Sequence, residues 1–192
     1  SSAASDVYKR QLINGLKKLE YRGYDSSGIA VINSETNSII CNKAEGKLKN
    51  LINNLNDENI LGTVGIGHTR WATHGKPEVK NAHPHTDSSG AIAVVQNGII
   101  ENFQELKNKL EKKGIIFNSD TDTEVIPHLI ERELNTLSKL NLESNGSTLL
   151  VAVRNVISDL EGSYALAVLW SGAPTSLVVA RRQAPLIIGL GE

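Results

Sequence analysis

The sequence predicts a domain of the α+β class. Two short apolar runs, Ile29 to Ile32 and Ile39 to Cys41, flank the polar segment Asn33-Ser34-Glu35-Thr36-Asn37, the pattern of a β-hairpin. Three more strand-like runs close the chain, at Tyr164 to Trp170, Ser176 to Ala180 and Leu186 to Ile188. Between these groups lie stretches whose apolar residues recur at helical spacing. A length of 192 residues suits one domain with a substantial core. No internal repeat, low-complexity linker or second domain boundary interrupts it.

In chain order, Ser1 to Asp6 is small and polar without a core pattern, and reads as a leader, tag or fusion scar. From about Tyr8 the pattern is helical, with Leu12, Leu16 and Leu19 on one side and Lys17, Lys18 and Glu20 on the other. Gly23 is placed to cap that helix. After the hairpin, Leu48, Leu51, Ile52 and Leu55 mark a short helix, and Thr63 to Ile66 a strand. Pro84 favours an extended turn. Ala91 to Val95 is apolar throughout, as in a strand buried on both faces. A helix is expected from Asn102 to Lys113, with Phe103, Leu106 and Leu110 inward and Gly114 as its stop. Ile115 to Phe117 reads as a short strand. Ser119 to Glu124 is rich in capping residues and opens a helix bearing Val125, Ile126, Leu129 and Ile130. Pro127 is awkward there, so the helix bends or starts late. A last helix begins at Ser147, with Leu150, Val153, Ile157 and Leu160 as its stripe and Gly162 as its end.

Hydrophobic residues make up 40% and charged residues 21%, and the net charge is −1. This is ordinary globular composition. There is no dense basic patch, so neither nucleic acid nor an anionic membrane is an expected partner. No apolar run reaches the length of a membrane span. The single cysteine, Cys41, excludes an internal disulfide and fits a reducing cytoplasm.

Chemistry concentrates in Gly67-His68-Thr69-Arg70-Trp71-Ala72-Thr73-His74-Gly75-Lys76-Pro77. A guanidinium fork suits a carboxylate or phosphate. Trp71 offers a flat face to cover a pocket, and Gly75 a hinge for a lid. The alternative is a surface loop with Trp71 as its anchor. Asn97-Gly98 follows the buried run and is placed to offer a side-chain amide and a bare N–H to an oxyanion; it is also the strongest short turn signal. Asp122 either caps a helix or faces a ligand ammonium. His83-Pro84-His85 invites a metal reading, but no cysteine or acid stands at a recognised ligand spacing, so no metal and no cofactor are expected. Cys41 ends an apolar run with no acid or histidine near it in sequence, so it is expected to pack rather than react.

Taken together, the motifs resemble one family closely. Leu19-Glu20-Tyr21-Arg22-Gly23-Tyr24-Asp25-Ser26-Ser27-Gly28, the Gly67 to Gly75 stretch, Asn81-Ala82-His83-Pro84-His85, Asn97 to Asn102, Thr121 to Ile126 and the tail Ala184 to Gly191 follow the order found in glucosamine-6-phosphate synthases, the isomerizing glutamine:fructose-6-phosphate aminotransferases of amino-sugar (hexosamine) biosynthesis. The resemblance runs from about Leu12 to Glu192. It implies the N-terminal-nucleophile (Ntn) hydrolase fold, a four-layer αββα sandwich of two antiparallel sheets, and a glutaminase that hydrolyses L-glutamine to glutamate and ammonia. It further implies that Arg70 holds the glutamine α-carboxylate with Trp71, Thr73 and His74 nearby, that Asp122 holds the α-ammonium, that Asn97 and the Gly98 N–H form the oxyanion hole, and that the Arg70 to Lys76 loop closes over the substrate. The parent protein is then expected to be a homo-oligomer that passes ammonia to fructose 6-phosphate.

Three departures qualify the match. The family's nucleophile is an N-terminal cysteine followed by a Gly-Ile-Val-like strand, and residues 1–11 match neither. The sugar-phosphate isomerase half is not in this sequence. Gln96 stands where the family usually has histidine. The expectation is therefore a leader at 1–11 and a glutaminase (glutamine amidotransferase type 2) domain at 12–192, incomplete at both ends. The alternative to an enzyme is a glutamine-binding fragment that does not turn over.

Overall fold

The computed structural model describes residues 2–55, 60–71 and 76–190. The chain opens with helix α1 (Ser2–Leu19), which starts well before Tyr8 and runs into a 3-10 turn at Glu20–Arg22. Gly23 follows as the cap, in extended conformation. Strands β1 (Ser26–Ile32) and β2 (Ile39–Glu45) form the expected hairpin, and Asn33 Oδ1 accepts from the Glu35 and Thr36 N–H groups in its loop. Helix α2 (Leu48–Leu55) precedes strand β3 (Val64–Arg70). After the short β4 (His85–Thr86) come β5 (Ile92–Ile100) and α3 (Phe103–Glu111). Helices α4 (Val125–Lys139) and α5 (Gly146–Asp159) then lead to β6 (Gly162–Trp170) and β7 (Val178–Arg182).

The strands form two antiparallel sheets, one in the order β2-β1-β3 and the other in the order β4-β5-β6-β7. Alternation along each strand sends its two faces to different cores. Ile29 and Val31 of β1 pack with Ile13 and Leu16 of α1 and with Leu48 and Leu51 of α2. Ala30 and Ile32, on the other face, meet Ile66 of β3, Ala93 of β5 and Leu169 of β6 between the sheets. The outer face of the second sheet, with Ile92, Val94, Leu166 and Val168, is covered by α3, α4 and α5. The layers are therefore helix, sheet, sheet, helix, the four-layer αββα sandwich. The apolar contact between the sheets is narrow, and its continuation toward the start of β1 and the end of β3 is polar.

Several expectations needed correction. Asn97 and Gly98 lie inside β5, neither in a turn nor at a strand end, and pair with Ala165 and Tyr164 of β6. Gly98 tolerates this place because it takes a φ of +117°, and a Cβ there would sit 2.0 Å from the Ser163 carbonyl oxygen. Likewise His68, Thr69 and Arg70 belong to strand β3 and not to a loop. Ile115 to Phe117 is not a strand: Ile115 and Phe117 pack on the helical layer while Ile116 is exposed, so its alternation is met without a ladder. Leu186 to Ile188 is not a strand either. Gln183 adopts φ +55°, which turns the chain off β7 and leaves Ile187 and Ile188 exposed. Pro127 does not break its helix, because α4 starts two residues earlier and a first-turn residue needs no intrahelical donor. The last helix ends at Asp159; Gly162 instead begins β6.

Candidate functional site

Strand β3 carries Ile66, His68 and Arg70 on the face toward the second sheet. Ile66 joins the inter-sheet core, and the two polar residues extend beyond it. Arg70 is only 5% exposed. Its Nη1 donates to the Lys76 carbonyl at 3.4 Å. Burial lowers the guanidinium's pKa, while the nearby charges of Asp25 and Asp122 oppose that shift. The cation thus lies in a poorly hydrated place with two carboxylates within electrostatic reach, where its interactions are stronger than at the surface.

Asp122 is buried and caps no helix. Its Oδ2 accepts from the Ile100 N–H of β5 at 2.7 Å. The segment around it is held from several sides. Glu124 accepts from the Asn118 and Ser119 N–H groups at 2.8 and 2.7 Å. Thr121 Oγ1 lies 3.0 Å from His85 Nε2, and Thr123 Oγ1 donates to Gln96 Oε1 at 2.7 Å. Burial works against ionisation of Glu124, but His128 and the donors of Asn118 and Ser119 overcome it and bring its carboxyl down to about 2. Asn81, fully buried, ties this segment to the one after Arg70: Nδ2 donates to the Lys76 carbonyl at 3.0 Å and Oδ1 accepts from the Asp120 N–H at 2.9 Å.

Asn97 faces the first sheet, and its Oδ1 lies 2.7 Å from His68 Nε2. The residue is otherwise exposed. Gln96 points the opposite way, toward Thr123, and its Nε2 is buried without a partner. Gly28 allows the close approach that builds this region, since a Cβ there would meet the His83 carbonyl oxygen at 2.2 Å. His83 stacks on His68 with ring centroids 4.3 Å apart, and His85 stands edge-on to His83 at 4.8 Å. All three imidazoles are neutral. Burial, the largest cause in each, lowers His68 to about 4, His85 to about 3 and His83 well below its ordinary value. Each has one ring nitrogen engaged by the protein, and among the described residues no group of three or more His, Cys, Asp or Glu side chains is arranged to hold a metal.

The structure thus gathers Arg70, Asp122 and Asn97 at the polar end of the inter-sheet layer. Trp71 is 58% exposed and lies edge-on to Tyr24 at 5.5 Å, on the outside. Thr73, His74 and Gly75, and with them the expected closing loop, lie outside the described residues. Cys41 sits between the sheets, its thiol pKa raised by burial despite the opposing Lys43, with Sγ 4.0 Å from the Pro84 carbonyl. Sequence reasoning gave His68, Asn81 and Glu124 no role at the site; the first was legible only through the alternation Ile66, His68, Arg70. A groove of 540 Å³ between α3, α4 and the end of α5, lined by Lys109, Arg132, Asp159, Glu161 and Arg182 among others, includes none of the site residues.

Comparison with known proteins follows the same lines. A family model described as "Glutamine amidotransferase domain" matches residues 68–189. Proteins named glutamine–fructose-6-phosphate aminotransferase (isomerizing) are similar along nearly the whole chain. That of Thermosynechococcus vestitus is 54% identical over 181 residues, covering 94% of this chain and 28% of the relative. That of Pyrococcus horikoshii is 52% identical over 189 residues, covering 98% and 29%. The chain therefore spans less than a third of the length of these relatives. Among solved structures, the glutamine phosphoribosylpyrophosphate amidotransferase of B. subtilis, complexed with ADP and GMP, superposes with a TM-score of 0.67 at 30% identity over 88% of this chain and 33% of that one. The allosteric regulatory enzyme of purine biosynthesis superposes with a TM-score of 0.71 at 30% identity, covering 88% and 34%.

Proposed function

Since the chain belongs to the glutamine amidotransferase domain family, we propose that it is the glutamine-binding part of a glutaminase whose parent protein passes ammonia to fructose 6-phosphate. The observation that carries this is the pairing of a buried cation, Arg70, with a buried carboxylate, Asp122, beside the Asn97 amide. An amino acid needs that set: a fork for its α-carboxylate, an anion for its α-ammonium and a donor for its side-chain carbonyl. Thr73 and His74 complete the carboxylate end in this reading, and Trp71 borders it.

By the family resemblance, the thiolate of an N-terminal cysteine attacks the glutamine side-chain carbonyl carbon, and its α-amine takes the thiol proton and delivers it to the departing ammonia. Asn97 Nδ2 and the Gly98 N–H then face the oxygen that becomes negative. Water next cleaves the thioester to glutamate and restores the thiol. The sequence given has one thiol, Cys41, and its burial and raised pKa unfit it for attack. In the proposed reading this stretch binds glutamine through Arg70, Asp122 and Asn97, without turnover by Cys41. Titration calorimetry with L-glutamine tests the binding; a flat titration would sink it. Glutamate release above that of a Ser1→Ala control would overturn the inactive reading. For the parent, production of glucosamine 6-phosphate from glutamine and fructose 6-phosphate by the intact gene product is the deciding assay. A reducing cytoplasm, and a homo-oligomeric parent, belong to the same proposal. Among the described residues no helix is long and apolar enough to cross a membrane.

A further inference from the structure

His68 stands two residues before Arg70 on the same face of β3, and its Nε2 meets Asn97 Oδ1 across the gap between the sheets at 2.7 Å. Its other ring nitrogen, Nδ1, is buried and has no hydrogen-bond partner. Together these facts select a tautomer. With the proton on Nε2, His68 donates to Asn97 Oδ1, and the buried Nδ1 is only a lone pair. With the proton on Nδ1, a buried N–H would lack any acceptor, and Asn97 would have to turn end for end to donate to Nε2. An orphaned buried donor is the costlier arrangement.

The ring cannot readily swing away. His83 stacks on it at 4.3 Å with planes 23° apart, and His83 Nδ1 in turn accepts from the Gln96 N–H at 3.3 Å. The two rings are thus keyed to consecutive residues of β5. We propose that His68 is a positioning residue for the oxyanion-binding amide: by donating from Nε2 to Asn97 Oδ1, it fixes the Asn97 amide so that the Nδ2 donor, not the oxygen, faces the ligand's side-chain carbonyl. This rests on the glutamine-binding reading of the site. Without the brace, Asn97 is free to present its oxygen, which repels the atom it has to stabilise. The neutral state of His68, enforced by burial, keeps a single donor pattern throughout the neutral pH range.

The test uses the chain as it is, with His68→Leu, which removes the donor, and His68→Gln, which keeps a side-chain N–H at similar reach. Long-range 1H–15N spectra of the wild type at pH 7 read the tautomer; His68 is expected as the Nε2–H form, and the Nδ1–H form overturns the proposal. Calorimetry then compares L-glutamine with L-norvaline, which has the same α-end but no side-chain carbonyl. His68→Leu is expected to weaken L-glutamine by about tenfold while leaving L-norvaline unchanged, and His68→Gln to restore most of the loss. Equal loss for both ligands, or none for L-glutamine, overturns the positioning role while leaving the glutamine reading intact. If the wild type binds neither ligand, the glutamine reading fails and this inference falls with it. Should His68→Leu not fold, the tautomer and the Gln variant's selectivity still decide, because a Gln variant weakened equally toward both ligands contradicts the role.

Discussion

At the scale of single residues, Arg70 bears the heaviest demand. In the proposed reading, replacing it with Ala leaves the ligand's α-carboxylate unpaired in a partly dry place, and L-glutamine affinity is expected to fall by about 2–5 kcal/mol. Arg70→Lys keeps the charge but loses the fork, so its loss is expected to be smaller yet measurable. Calorimetry on both variants checks this, and an unchanged Arg70→Ala would return the residue to mere packing. In the same reading Asp122→Asn acts on the other end of the ligand: affinity for L-glutamine should drop, while an analogue without the α-amine should lose little further, the contact being already gone. Gly98→Ala is a different kind of change. The φ of +117° strains any side chain by about 1–3 kcal/mol, and the new Cβ runs into the Ser163 backbone, which cannot step aside as a flexible side chain would. A lowered midpoint in urea is the expected outcome. Residue types and the family resemblance singled out Arg70, Asp122 and Asn97 as candidates, and the fold brings them to one end of the inter-sheet layer. His68 was marked only by the alternation Ile66, His68, Arg70, because its partner lies 29 residues away on the facing sheet.

At the scale of elements, apolar spacing located most of the secondary structure, because each helix buries one periodic face and strands such as β1 bury apolar runs. It failed where burial and ladder pairing part company. Ile115 to Phe117 alternates but packs on helices, and Leu186 to Ile188 is apolar but follows the turn at Gln183. Asn97-Gly98 carries a strong turn signal and yet continues β5, because pairing with β6 outweighs the local preference and only glycine fits the twist. The start of α5 is a cleaner case. Asn145 is its cap, and its side-chain oxygen accepts from the Thr148 N–H at 3.0 Å. Asn145→Ala is expected to cost about 0.5–2 kcal/mol and Asn145→Ser much less. Urea unfolding of the three proteins measures this; equal stability of all three would mean that the Thr148 hydroxyl bond to the Glu143 carbonyl, 2.6 Å long, holds the turn by itself.

At the scale of the whole molecule, the two sheets are joined by a small apolar patch and, beside it, a polar layer that works only in one protonation state. His68, His83 and His85 are all neutral there, with folded pKa values of about 4 for His68, about 3 for His85 and well below normal for His83. In the unfolded chain they titrate near 6.5. Between those values the unfolded state binds more protons than the native one, so the free energy of unfolding rises with pH. Their contribution is complete above about pH 6.5 and is lost as the pH falls toward the folded values. Each histidine adds a slope of up to about 1.4 kcal/mol per pH unit, and the three together up to about 4. Glu124 acts in a lower window: its folded value of about 2 is depressed, so its contribution is full above the ordinary glutamate value and fades as the pH drops through the folded one. Urea unfolding from pH 7.5 to 4.5 should therefore show a steep loss beginning near pH 6.5, before carboxylates titrate. His68→Gln removes one titrating group from this layer while retaining a donor for Asn97, so the slope should shrink by about a third. Stability that stays level down to pH 5 would mean that the imidazoles are hydrated or already charged in the native state, and that the polar seam between the sheets is open to water.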